Sequence, residues 1–191
     1  MSESPAGGAP RELVVVSDLH LGRGFDPETK RWHGLEAFFY DEDFRAFCEW
    51  LARDAAERGA AVTLVLNGDV LDLLRIEPEG GEGASGPERR YGPALGPEVA
   101  ARVVRDILRG HPAFADALAA VLAAGQEVLV LPGNHDLELQ WEPVREELRR
   151  AVAGRLAARG AGGDALGRLR FERWFLHEPG RIWIEHGCQY D

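Results

Sequence analysis

The sequence predicts an α/β domain whose sheet is parallel or mostly parallel, and three observations carry that expectation. Continuous apolar runs at residues 13–16, 62–66 and 127–131 have the character of strands covered on both faces. Helical periodicity fills the intervals between them, the alternation that returns successive strands to one sheet in the same direction, with helices on its faces. A polar cluster stands directly after each run, where an open sheet of this kind gathers its ligands beyond the carboxyl ends of its strands.

Each element has a local cause. After the first strand, residues 22–40 mix Gly24, Pro27 and Gly34 with Trp32, Phe38 and Phe39 and read as a long loop or lid. A helix opens at Asp41. Phe44, Phe47, Leu51 and Ala55 form its apolar stripe, acidic residues occupy its first turn, and Gly59 supplies its stop. Residues 77–97 are rich in Gly, Pro and Glu and read as a flexible insertion inside one domain, because helical pattern resumes at once. Pro97 opens a helix towards Gly110, and Pro112 opens another with Phe114, Leu118 and Leu122 on its stripe and Gly125 at its end. A charged helix spans about residues 143–159, followed by a Gly-rich turn. Residues 169–176 and 181–185 alternate apolar and polar side chains around Pro179-Gly180 and predict an antiparallel hairpin.

Bulk properties narrow the function classes. At 191 residues and 45% hydrophobic content the chain suits a single domain, residues 1–191, with a substantial core. Its 22 basic against 32 acidic residues give −10, which weighs against broad binding to nucleic acid or an anionic membrane. Residues 1–10 carry neither a basic nor an apolar leader region, so no membrane anchor and a cytoplasmic location are expected. Cys48 lies in a helical pattern and Cys188 two residues after His186, contexts too different to suggest a disulfide.

The chemistry lies in four clusters: Asp18-Leu19-His20, Gly68-Asp69-Val70-Leu71-Asp72, Gly133-Asn134-His135-Asp136 and Glu185-His186-Gly187. Carboxylate oxygens and imidazole nitrogens suit Zn, Mn or Fe, and a carboxylate can bridge two ions. Gly68 and Gly133 let the backbone turn sharply and approach an ion without a side-chain clash. Singly, each cluster is ordinary turn chemistry. Their joint occurrence, in order, at successive strand ends is not.

With these residues the chain resembles the calcineurin-like metallophosphoesterases, a family read by Asp-x-His, Gly-Asp-x-x-Asp, Gly-Asn-His-Asp/Glu, a lone strand-end His and finally Gly-His-x-His. The first four elements are present between residues 18 and 186; the fifth is absent. The resemblance implies a four-layer α-β-β-α sandwich whose second sheet is incomplete at the C-terminus. It implies a hydrolase of phosphoester or pyrophosphate bonds that uses hydroxide activated by two divalent metals (Mn, Fe or Zn). Asp18 and His20 would hold one metal, Asp69 would bridge, and Asn134 and His186 would hold the second. His135 would assist the leaving oxygen with Asp136 as its orienting partner, and Asp72 would stand outside the ligand set. The expected substrate is a phosphorylated small molecule or other phosphoester.

The rival expectation is a metal-binding or scaffold module of the same fold with impaired catalysis. A third is an amino-terminal portion whose site a further C-terminal segment or a partner completes. Outside the clusters the expectations are bland: a loop position for His33, a capping or solvent role for His111, a structural role for His177, and a solvated pair for Arg89 and Arg90. Trp32, Phe38, Phe39 and Tyr40 are candidates for a substrate wall but fit core packing better.

Overall fold

The computed structural model describes residues 11–76 and 95–190. Arg89, Arg90 and most of the expected insertion lie outside these residues. Four strands, β1 (Arg11–Val16), β4 (Ala61–Asn67), β5 (Glu127–Leu131) and β6 (Leu169–Phe171), form one parallel sheet in the order β1-β4-β5-β6. Two short antiparallel ribbons accompany it: β2 (Phe25–Asp26) with β3 (Arg31–Trp32), and β7 (Phe175–Glu178) with β8 (Ile182–Glu185).

The helices are α1 (Asp41–Arg58), α2 (Pro97–Gly110), α3 (Pro112–Ala123), α4 (Glu142–Ala158) and the short α5 (Gly163–Leu166). Their ends follow local chemistry. Gly59 caps α1 in the left-handed conformation at φ 63°, its amide reaching the carbonyls of Ala55 and Ala56. Pro97 and Pro112 stand at the first positions of α2 and α3, where a missing N–H costs nothing. Among the described residues no helix is long and apolar enough to cross a membrane.

The expectation of helices on both faces is corrected. Val62, Leu64, Leu66, Val128 and Val130 face one large core with all five helices, in which Phe44 of α1 stacks on Phe114 of α3 at 5.6 Å. Val65, Leu129 and Leu131, on the other face, pack instead against Leu176, Ile182 and Ile184 of the β7–β8 hairpin. The hairpin is also shorter than expected: residues 169–171 join the parallel sheet, and only residues 175–178 turn back on β8. The first strand, expected to be covered on both faces, is a sheet edge with Val15 45% exposed.

The segment before α1, expected as a long loop or lid, is irregular apart from the β2–β3 ribbon and is tied down at Glu36. The Glu36 side chain is fully buried and its carboxylate accepts amide hydrogen bonds from Gly22 (3.1 Å), Gly24 (2.6 Å), Ala37 (3.0 Å) and Phe38 (2.9 Å). His111, expected at a cap or in solvent, does cap the end of α2 but is 0% exposed. Its Nε2 lies 3.2 Å from Glu36 and its Nδ1 2.9 Å from Asp41, so the imidazolium ties this segment, the helix junction and the start of α1 together.

Burial works to lower the His111 pKa, but bonds to Asp41 and Glu36 outweigh it and lift it to about 9. Because the folded value exceeds the unfolded one near 6.5, the stabilisation is full below about pH 6.5 and is lost as pH rises through about 9. Cys48, pushed up to about 12 by burial, erodes stability at still higher pH, so a difference measurement is needed. His111→Gln should lower stability near pH 6.5 by on the order of 3 kcal/mol, and the gap should close towards pH 10 in urea titrations across that range. A gap independent of pH would contradict the charged clamp.

Candidate functional site

The segments after β1 and β4 keep paired beyond the sheet. Asp18 N donates to the Gly68 carbonyl (3.2 Å), His20 N to Asp69 (2.9 Å) and Leu21 N to Val70 (2.9 Å), while Asp72 N returns a bond to Leu21 (2.9 Å). This tight crossing places three non-glycine residues in the left-handed region: Asp18 at φ 58°, His20 at 52° and Asp69 at 52°. Such conformations persist where surrounding contacts over-determine them, and they cluster at functional sites.

The side chains these residues carry converge. His20 Nε2 lies 3.7 Å from Asp69 Oδ2 and 3.9 Å from Asp18 Oδ1, and His186 Nε2 approaches the same Asp69 oxygen at 3.4 Å. Asp69 is 4% exposed and sits at the centre, whereas the Asp18 side chain is 57% exposed at the rim. Asp18, Asp69 and His186 form one group able to hold a cation, and His20, Asp72 and His135 an adjoining one. Asn134 follows Gly133 at the end of β5 and is exposed. Cys188 lies outside both groups, and both cysteines are free thiols.

Three features test whether these donors suit a metal. The His186 Nδ1 donates to the Asn67 carbonyl at 2.9 Å, which orients the ring and leaves Nε2, facing Asp69, as the nitrogen available to a metal. The nitrogen-to-oxygen separations of 3.4–3.9 Å exceed a good hydrogen bond. They match donors that each lie ~2.1 Å from a common ion at tetrahedral angles, which are roughly 3.4 Å apart. His20 Nδ1 and Asp72 Oδ2, 3.8 Å apart, are buried without a hydrogen bond, with Arg75 Nε 3.4 Å from that Asp72 oxygen. The residues therefore fit a divalent cation.

The glycines make room for ligands, not only for ions. A Cβ on Gly68 would meet the His186 ring at 2.6 Å, and one on Gly133 would overlap the Asp69 carboxylate. Gly68 itself adopts φ 79°.

Asp136 does not orient His135 as expected; Asp72, expected outside the ligand set, takes that place. His135 Nδ1 is held by Asp72 Oδ1 at 2.9 Å, and its ring stands edge-on to His20 at 4.7 Å. Asp136 is 0% exposed and accepts backbone amides instead: Gly133 (2.6 Å), Val70 (2.8 Å), Leu71 (3.2 Å) and Asp69 (3.3 Å). Burial pushes its pKa up to about 6 while the Gly133, Leu71 and Val70 amides pull down. Residues 69–72 cross the end of β5, so a carboxylate three residues after Gly133 meets amides there. The carboxylate that reaches the His135 ring is Asp72, the fifth and last residue of the Gly-Asp-x-x-Asp motif.

No protein-family model, curated protein or solved structure matches this chain.

Asp136→Asn should lower stability by about 2–4 kcal/mol, because an NH2 replaces the oxygen that two of the four buried amides share, with the His135 ring undisturbed. Asp72→Asn should instead shift the His135 ring nitrogens in 15N spectra at a smaller stability cost. The reverse pattern would reinstate Asp136 as the partner of His135.

Proposed function

We propose that this chain is a metal-dependent hydrolase of phosphoester or pyrophosphate bonds with the architecture of the metallophosphoesterases. The observation that carries the reading is the convergence of Asp18, His20, Asp69 and His186, from three separate strand ends, at separations suited to coordination. Support for the four-layer sandwich comes from the layering: helices on one face of the parallel sheet, a β-hairpin on the other. Asp18, His20, Asp69 and His186 would hold two divalent ions, with Asn134 adding an amide oxygen. Free thiols accord with a reducing cytoplasm.

Bound metals would supply Lewis-acid neutralisation of phosphoryl charge and a more acidic water. The chain's own residues do the rest. Asp69, nearly buried, concentrates negative charge between two imidazoles. His135 is oriented through Nδ1 on Asp72, which leaves Nε2 as the nitrogen that would deliver a proton to the departing oxygen. Asp136 keeps both loops in register.

Metal analysis by mass spectrometry on protein purified without chelator should find bound divalent metal, and Asp69→Asn should remove most of it. With added Mn the chain should hydrolyse an aryl phosphate monoester or diester. His135→Ala should keep the metal and lower kcat roughly 10²–10⁴-fold. Metal near zero in both proteins would overturn the reading, and metal without turnover would leave a binding module.

A further inference from the structure

Asp72 and His135 have no part in holding ions at Asp69, yet they stand where a further cation would fit. With His20 they form a group whose ligand atoms all lie within 4.8 Å of one another, and none of the three belongs to the Asp18, Asp69 and His186 group. Each comes from a different strand end: His20 after β1, Asp72 after β4 and His135 after β5. Two imidazoles and one carboxylate, with water in the fourth position, are a ligand set that suits zinc.

The carboxylate is under-compensated for its depth. The Asp72 side chain is 2% exposed, and its Oδ1 accepts the His135 Nδ1 proton at 2.9 Å. Its Oδ2 has no hydrogen bond and faces His20 Nδ1, also buried without one, at 3.8 Å. A cation does stand near that oxygen: Arg75 Nε lies 3.4 Å away, on a side chain 55% exposed. A solvated guanidinium at that distance is a weak and exchangeable counter-ion for a buried anion.

His20 stands between two carboxylates. Its Nε2 lies 3.7 Å from Asp69 and its Nδ1 3.8 Å from Asp72. A neutral imidazole has one lone pair, so the ring serves an ion on one side at a time. The His135 ring stands edge-on to it at 4.7 Å, which brings both rings to Asp72.

We infer that His20, Asp72 and His135 form an inhibitory zinc site, separate from the ions at Asp69 and filled by displacing Arg75. The ion takes the place of the proton on His135 Nδ1, which passes to solvent, and turns the His20 lone pair from Asp69 to Asp72. The zinc-bound His135 is a weaker acid than the imidazolium it replaces, and the ion at Asp18 loses a ligand. Only the inhibitory effect rests on the hydrolytic reading. Zinc capture by the three residues does not.

The test is titration of the metal-stripped chain with zinc, followed through the 15N resonances of the histidine rings. His186 reports an ion at Asp69, and His135 reports one at Asp72. Both rings should show a metal-bound nitrogen at saturating zinc, and Asp72→Asn should abolish that of His135 while keeping that of His186. A metal-bound His186 with His135 unchanged would overturn the inference and leave the hydrolytic reading standing. A metal-bound His135 with His186 unchanged would do the reverse. In the Mn-loaded chain added zinc should lower aryl phosphate turnover, and Arg75→Ala should lower the half-inhibitory zinc concentration roughly two- to fivefold. Equal zinc sensitivity of the two chains would overturn the displacement of Arg75.

Discussion

The Asp136 carboxylate is the constraint on which the rest of the site depends. It gathers amides from both the β4 and β5 loops, and those loops carry Asp69, Asp72, Asn134 and His135. The β4–β5 ladder itself stops at Asn67 paired with Leu131, and beyond it the two segments are joined by Asp136 together with the His135 amide on Asp69 and the Leu73 amide on the His135 carbonyl. A buried anion shared among four donors joins them over the next several residues. A charge this deep is tolerable because its hydrogen bonds replace the water it lost.

That clamp explains how the site sustains its backbone strain. A non-glycine residue in the left-handed region costs about 1–3 kcal/mol where nothing local favours it. Asp69 adopts it while its own amide bonds Asp136 and its carboxylate takes the His135 amide at 2.9 Å. Asp18 and His20 adopt it while their amides bond Gly68 and Asp69. Each strained residue is thus held from a second strand end, and none is free to relax alone. The glycines serve the same end, since Gly68 admits the His186 ring and Gly133 admits the Asp69 carboxylate.

Local signals made most of the elements legible in sequence. Pro97, Pro112 and Gly59 marked helix ends, and the run at residues 127–131 marked β5 with its bounds. What sequence could not give was the assignment of faces. Strand β4 is apolar at alternate positions of both parities, Val62, Leu64 and Leu66 on one side and Val65 on the other. Periodicity therefore cannot say that helices cover one face and a hairpin the other. The Asp72–His135 pair was hidden for a related reason. Adjacency along the chain favoured Asp136, but successive residues after a strand point in different directions, and the partner came from a neighbouring strand. Glu36 carried no motif at all, and only its burial beneath His111 reveals it.

The histidines of this chain show how distance, more than residue type, separates a structural ion pair from a ligand. His111 has carboxylate oxygens at 2.9 and 3.2 Å, one on each ring nitrogen, so protons fill both gaps and the ring carries charge up to about pH 9. His186 has a carbonyl at 2.9 Å on one nitrogen and a carboxylate at 3.4 Å on the other. His20 meets three carboxylates, none nearer than 3.7 Å. A proton bridges the shorter spacing well and the longer one poorly, whereas a divalent ion between two donors requires the longer. The same two residue types, imidazole and carboxylate, thus fasten Glu36 to the helix junction at one end of the Gly22–Tyr40 segment and leave room for a cation at the other.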